Sequence, residues 1–155
     1  MIETVVSMLP LAYVVATAVP LLVVDIKQHR LPNKIVLPMI GITLLTHLIL
    51  AVWTGAWASL GISVGLGFAT LLLGIYLNYK DHIGMGDVKL ITALTMITAW
   101  FSPLIGLMFL PMIVLLGALL VLVVVYISPV IRNVPMGPTV LLAFTILMPI
   151  ALAIR

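Results

Sequence analysis

The chain has 155 residues, 65% of them hydrophobic and only 7% charged, with a formal charge of +3 and no cysteine. Its mean hydropathy is +1.42. A soluble domain of this length carries about 25% charged residues, so the composition excludes one and requires an all-α, polytopic membrane protein. At about 20 residues per span, the length allows at most about six spans and no separate soluble domain, so residues 1–155 read as a single integral-membrane domain. The missing cysteines exclude disulfides, thiol nucleophiles and cysteine-ligated zinc.

Apolar runs predict spans near 4–24, 35–52, 58–77, 88–101, 104–127 and 138–154, which pack as a compact bundle of about six helices. The first run follows Glu3 and lacks a basic n-region, so it does not resemble a cleaved signal peptide. Trp53 and Trp57 flank Gly55 at the second break and read as an interfacial aromatic belt. Gly61 and Gly65 in the third run form a G-x-x-x-G pair and read as a helix-packing face. The fourth run is short: 14 residues span about 21 Å, less than a hydrocarbon core. Either Pro103 kinks a longer helix, or the turn lies nearer Pro111, or the bilayer thins there.

Basic residues fall mainly in three breaks, 25–34 with Lys27, Arg30 and Lys34, 78–89 with Lys80 and Lys89, and 128–137 with Arg132. Six spans put these breaks on one side, with Arg155 and both termini opposite. The positive-inside rule makes the basic side cytoplasmic and the termini periplasmic. The positive charge therefore reports topology in a cytoplasmic (inner) membrane, with lipid as the surrounding partner and no nucleic acid.

Two acids stand where apolar runs meet basic loops: Asp25, before Arg30-Leu-Pro-Asn33, and Asp87, in Gly84-Met-Gly-Asp-Val-Lys89. A carboxylate near bilayer depth costs roughly 2.5–3.5 kcal/mol on insertion, so such residues usually have a function. Two carboxyls within reach of each other share a proton and titrate as a unit. The ionised one activates water while the protonated one polarises a peptide carbonyl, without metal or cofactor. Helix dipoles assign the resting proton to Asp25, at the end of span one, and the base role to Asp87, at the start of span four.

Neighbouring residues suit such a site. Gly84 and Gly86 permit positive φ and close approach of another chain segment. Pro32 ends the first loop and Asn33 caps span two through its side-chain oxygen. Lys89 obeys topology, binds lipid phosphate or biases the two acids. Asp81 reads as a solvated loop acid and Glu3 lies on the opposite face. His29, His47 and His82 lack metal-ligand spacing, and His47 is expected to hydrogen-bond a neighbouring helix.

With these residues the chain resembles the prepilin peptidases, membrane aspartic proteases of the G-x-G-D class. Asp25 followed by Arg30-Leu31-Pro32-Asn33 is similar to the family's first-aspartate motif, and Gly84-Met85-Gly86-Asp87-Val88-Lys89-Leu90 to its second. Pro135-Met136-Gly137-Pro138 resembles the P-x-G-P that opens the family's last helix, which implies that Pro135, Gly137 and Pro138 border the site. The chain lacks the cysteine-rich region of the long members, so N-methylation is not implied. It resembles the short form serving tight-adherence (Flp-type) pili.

The resemblance implies a peptidase domain over the whole chain, with Asp25 and Asp87 catalytic. The implied partner is a prepilin with a short basic leader and a hydrophobic N-terminal helix, cleaved at the cytoplasmic face; the oligomeric state is left open. Intramembrane acids also serve proton carriers, and a scaffold subunit is a third class. Spans five and six contain no Asp, Glu, His or Lys, and Arg155 stands at their far end, which offers a carrier no path across.

Overall fold

The computed structural model describes residues 2–28, 31–80, 82–127 and 136–154. They form six helices: α1 (Ile2–Gln28), α2 (Asn33–Thr54), α3 (Trp57–Tyr79), α4 (Met85–Phe101), α5 (Pro103–Ile127) and α6 (Gly137–Ile154). The architecture is all-α and multi-pass, as composition predicts. Five helices are long and apolar enough to cross a membrane; α4 is the exception.

Local chemistry sets the breaks. Gly55 closes α2 in the left-handed region at φ 73°, donating its N–H to Ala51 O. Such a φ is costly for any residue with a Cβ. Trp53 and Trp57 stand exposed on either side of this turn. Pro32 is extended at φ −72° and ψ 123°, and its carbonyl accepts the N–H groups of Ile35 and Val36. Between α4 and α5, Ser102 is extended and Pro103 occupies the first helical position, where its missing N–H costs nothing. Pro111 lies inside α5 and does not end it, so the fourth span stops at Phe101.

The short fourth span has a physical reason. The contacts between elements place α1, α2, α3, α5 and α6 in a ring, with α4 touching α2, α3, α5 and α6. From Leu90 to Phe101 every residue of α4 is buried. At about 1.5 Å per residue its 17 residues reach about 25 Å. A helix enclosed by protein need not match lipid thickness, because its ends meet other helices and not acyl chains.

The glycines that admit close packing are not the G-x-x-x-G pair. A Cβ at Gly61 or Gly65 would meet open space. One at Gly67 would collide with Met96, one at Gly74 with Val88, and one at Gly106 would lie 2.6 Å from Ala99 Cβ. All three contacts are with the axial helix. Position in the ring, not spacing in sequence, decides which glycine is needed.

Polar side chains in the bundle are mostly tied to backbone. Thr43, Thr92 and Thr98 donate to carbonyls of their own helices. His47 bonds the neighbouring helix α3 as expected: its Nδ1 lies 3.0 Å from Ser63 Oγ, and Ser63 donates to Met96 O at 2.8 Å. Since Ser63 commits its proton to the carbonyl, the Nδ1–H of His47 is the donor in that pair. The His47 ring stacks on Trp100 with centroids 4.4 Å apart.

Replacing Gly106 by Ala is expected to destabilise the bundle by about 1–3 kcal/mol, because Ala99 backbone cannot yield. Gly61→Ala and Gly65→Ala are expected to stay within about 0.5 kcal/mol of the parent. Equilibrium unfolding in detergent micelles measures both.

Candidate active site

Four chain segments meet at the loop end of the bundle: the end of α1, the 31–33 segment with the start of α2, the start of α4 and the start of α6. Asp25 lies within α1, which continues to Gln28, and is only 3% exposed. Gly137 opens α6, and its N–H has no acceptor within that helix. It donates instead to Asp25 Oδ2 at 3.0 Å. One carboxylate thus caps a different helix, with its negative charge against the positive end of the α6 dipole. A Cβ at position 137 would lie 2.7 Å from Oδ2, so a side chain there displaces the carboxylate.

Asp87 stands in the first turn of α4, ahead of the apolar run 88–101. Gly84 is extended at φ −68° and ψ 142° and starts the helix, its carbonyl accepting the Val88 N–H at 3.1 Å. A Cβ at Gly84 would approach Asp87 Oδ2 to 3.0 Å. Asp87 Oδ1 is buried without a hydrogen-bond partner. Burial and the neighbouring Asp25 charge push the Asp87 carboxyl up to about 6. They outweigh the helix dipole, which favours charge there. The two acids are therefore close enough to act on each other's ionisation.

Gly86 and Lys89 hold the 31–33 segment on α4. A Cβ at Gly86 would lie 2.9 Å from Leu31 Cβ and 3.3 Å from Leu31 N and O, so only glycine lets that backbone pack so closely. Lys89 Nζ donates to Asn33 Oδ1 at 2.9 Å. Pro32 lies between these contacts as the extended cap of α2.

Several expectations change in detail. Asn33 does not cap α2 through its side chain; it is the first helical residue, and its oxygen serves Lys89. Gly84 and Gly86 do not adopt positive φ; among the described residues Gly55 alone does. Asp25 is not at a helix end, because α1 runs three residues past it. Pro138 follows Gly137 in the first turn of α6 and lines an apolar recess with Leu22 and Leu141. Pro135, His29 and Asp81 lie outside the described residues. Leu31, within the Arg30-Leu31-Pro32-Asn33 motif, is the residue that packs on Gly86. A glycine two residues before an acid signals that some backbone must reach it, without saying which.

Asp25, hydrogen-bonded to Gly137, and Asp87, with Oδ1 unpartnered, thus stand together at the loop end of an apolar helical bundle. The chain matches the type IV leader peptidase family over residues 11–152, and it belongs to that family. Comparisons with curated proteins and with solved structures give no match. The family and the apolar helices fit a multi-pass protein of the inner membrane.

A carboxylic-acid infrared band is expected below pH about 6, lost as pH rises through that value and absent in Asp87→Asn. In Asp25→Asn the like charge is gone, so the midpoint should fall, while burial, the larger cause, keeps it above 3.8. A midpoint unmoved by Asp25→Asn would mean that the acids do not communicate.

Proposed function

We propose that this chain is an aspartic endopeptidase that removes the short basic leader of prepilins of the Flp type at the cytoplasmic face of the membrane. The observation that carries this reading is the coupling of Asp25 and Asp87 across two helices at the end of the bundle holding Lys27, Lys34, Lys80 and Lys89. The positive-inside rule makes that end cytoplasmic. Membership of the leader peptidase family supplies the substrate class.

The site favours the reverse of the roles that helix dipoles alone assign. Asp25 receives the Gly137 N–H, which suits an ionised carboxylate. Asp87, pushed up to about 6 by burial and the Asp25 charge, is the acid that holds the proton of the pair below that pH. Asp25 then takes a proton from water as that water attacks the scissile carbonyl. Asp87 donates a hydrogen bond to the carbonyl oxygen, where negative charge develops. Passing a proton to the leaving amine completes the hydrolysis with no covalent intermediate. Gly84, Gly86, Pro32, Asn33, Lys89, Gly137 and Pro138 shape this site and do not react. Pro135 joins them on its motif alone.

A proton carrier fits less well. The axial helix does contain buried Thr92 and Thr98, but both donate to backbone carbonyls of that helix. Their protons are committed there, Thr95 Oγ1 has no partner, and among the described residues no chain of hydrogen bonds leads away from Asp87.

Asp25→Asn and Asp87→Asn are each expected to lower prepilin cleavage by about a thousandfold or more, with an effect in the double variant no larger than in either single. Gel assays in membranes co-expressing prepilin measure it. Proton flux without leader removal would overturn the reading. Lys89→Met and Asn33→Ala should each reduce cleavage about tenfold, and the double variant should lose little more, because one hydrogen bond is removed in every case.

A further inference from the structure

We propose that the apolar groove between α3 and α5 is the docking site for the hydrophobic helix of the substrate; this rests on the peptidase reading above. The groove encloses about 910 Å³ and has Ile91 of α4 in its lining. Leu73 and Leu77 line it from α3, and Val114 and Val121 from α5. Leu73, Val114 and Val121 are 47%, 70% and 46% exposed, so none of the described residues covers these walls.

Three features choose a peptide helix as its occupant. The first is continuity with the site. Ile83, Met136 and Thr139 form one end of the groove, and these residues flank Gly84 and Gly137, which start the helices at the two acids. Ile91 follows Asp87 by four residues, one turn below it on the same face of α4. A helix in the groove therefore has its end one turn from Asp87, whose Oδ1 is buried and unpartnered.

The second is length. The α5 stripe from Leu110 to Val121 runs about 17 Å, three turns of an apolar helix. The third is the low wall at Gly117 and Ala118, which lets a helix backbone come close. A lipid chain needs neither the low wall nor the opening toward the acids. The apolar recess between α1 and α6, about 590 Å³, lies instead beneath Asp25, whose Oδ2 is already occupied by Gly137.

The groove thus sets register: the scissile bond lies where the apolar helix of the substrate emerges beside Asp87. Since the chain has no cysteine, single cysteines at Val121 or Val114 report contact cleanly. In an Asp87→Asn background, prepilin variants with one cysteine scanned along the apolar helix would be oxidised in membranes. Val121→Cys is expected to trap a position within about two turns of the cleavage point, and Val114→Cys one about two turns further on.

Trapping at Val15→Cys or Leu142→Cys, beside the α1–α6 recess, would overturn the proposal. So would no trapping by cysteine variants that still cleave with Asp87 intact, the result expected if lipid alone fills the groove. Failure of the unmodified enzyme to cleave prepilin would sink the peptidase reading itself. As a second measurement, Ala118→Trp should raise KM about tenfold for full prepilin. It should change KM less than about twofold for a leader peptide lacking the helix. Equal effects on both substrates would refute docking.

Discussion

The hydrogen bond from Gly137 N–H to Asp25 Oδ2 is the contact on which the site's asymmetry rests. A carboxylate that is 3% exposed among apolar helices is costly unless something donates to it. The first N–H of α6 has the opposite deficit, a donor without an acceptor. Each removes the other's penalty, and the bond fixes α1 against α6 while the remaining acid stays without a partner at Oδ1. Two chemically identical side chains thereby acquire different environments, as division of labour between acid and base requires.

The second anchor is the packing of the 31–33 segment on α4. Gly86 supplies the space and Lys89 the hydrogen bond to Asn33. An exposed pair of this kind contributes little to stability in water. Its value is geometric: it ties the chain that leaves Asp25 to the helix that carries Asp87 in its first turn. The lysine that counting charges assigns to topology thus has a structural partner as well.

Much of this was legible in the sequence because the signals are strong and local. Six apolar runs, three basic breaks and the prolines at 32 and 103 set the helix boundaries to within a few residues. Asp25 and Asp87 stood out because charge is scarce here. What failed depended on tertiary neighbours. Gly61 and Gly65 match a packing pattern but face open space, whereas Gly67, Gly74 and Gly106, without a pattern, meet the axial helix. Asn33 suits a cap by residue type, yet a lysine 56 positions away takes its oxygen. The dipole argument took Asp25 as the end of α1, whereas α1 runs on to Gln28, and at Asp87 burial and the Asp25 charge outweigh the dipole. No local pattern distinguishes a short span that lies inside a ring from one that faces a thin bilayer.

The placement of α4 also bears on how the chain enters the membrane. It is the least self-sufficient described helix, with an acid and a lysine in its first turns and Thr92, Thr95 and Thr98 along its length. Alone in lipid, such a segment gains less from partitioning than its neighbours and must keep those polar groups supplied from within. Its integration therefore depends on company: α3 before it and α5 after it flank it in sequence and pack on it in space. The three would enter most favourably as a unit. Assembly of the end that carries Asp25 and Asp87 then waits on the least lipophilic segment, so a chain that fails to complete the bundle never brings its two acids together.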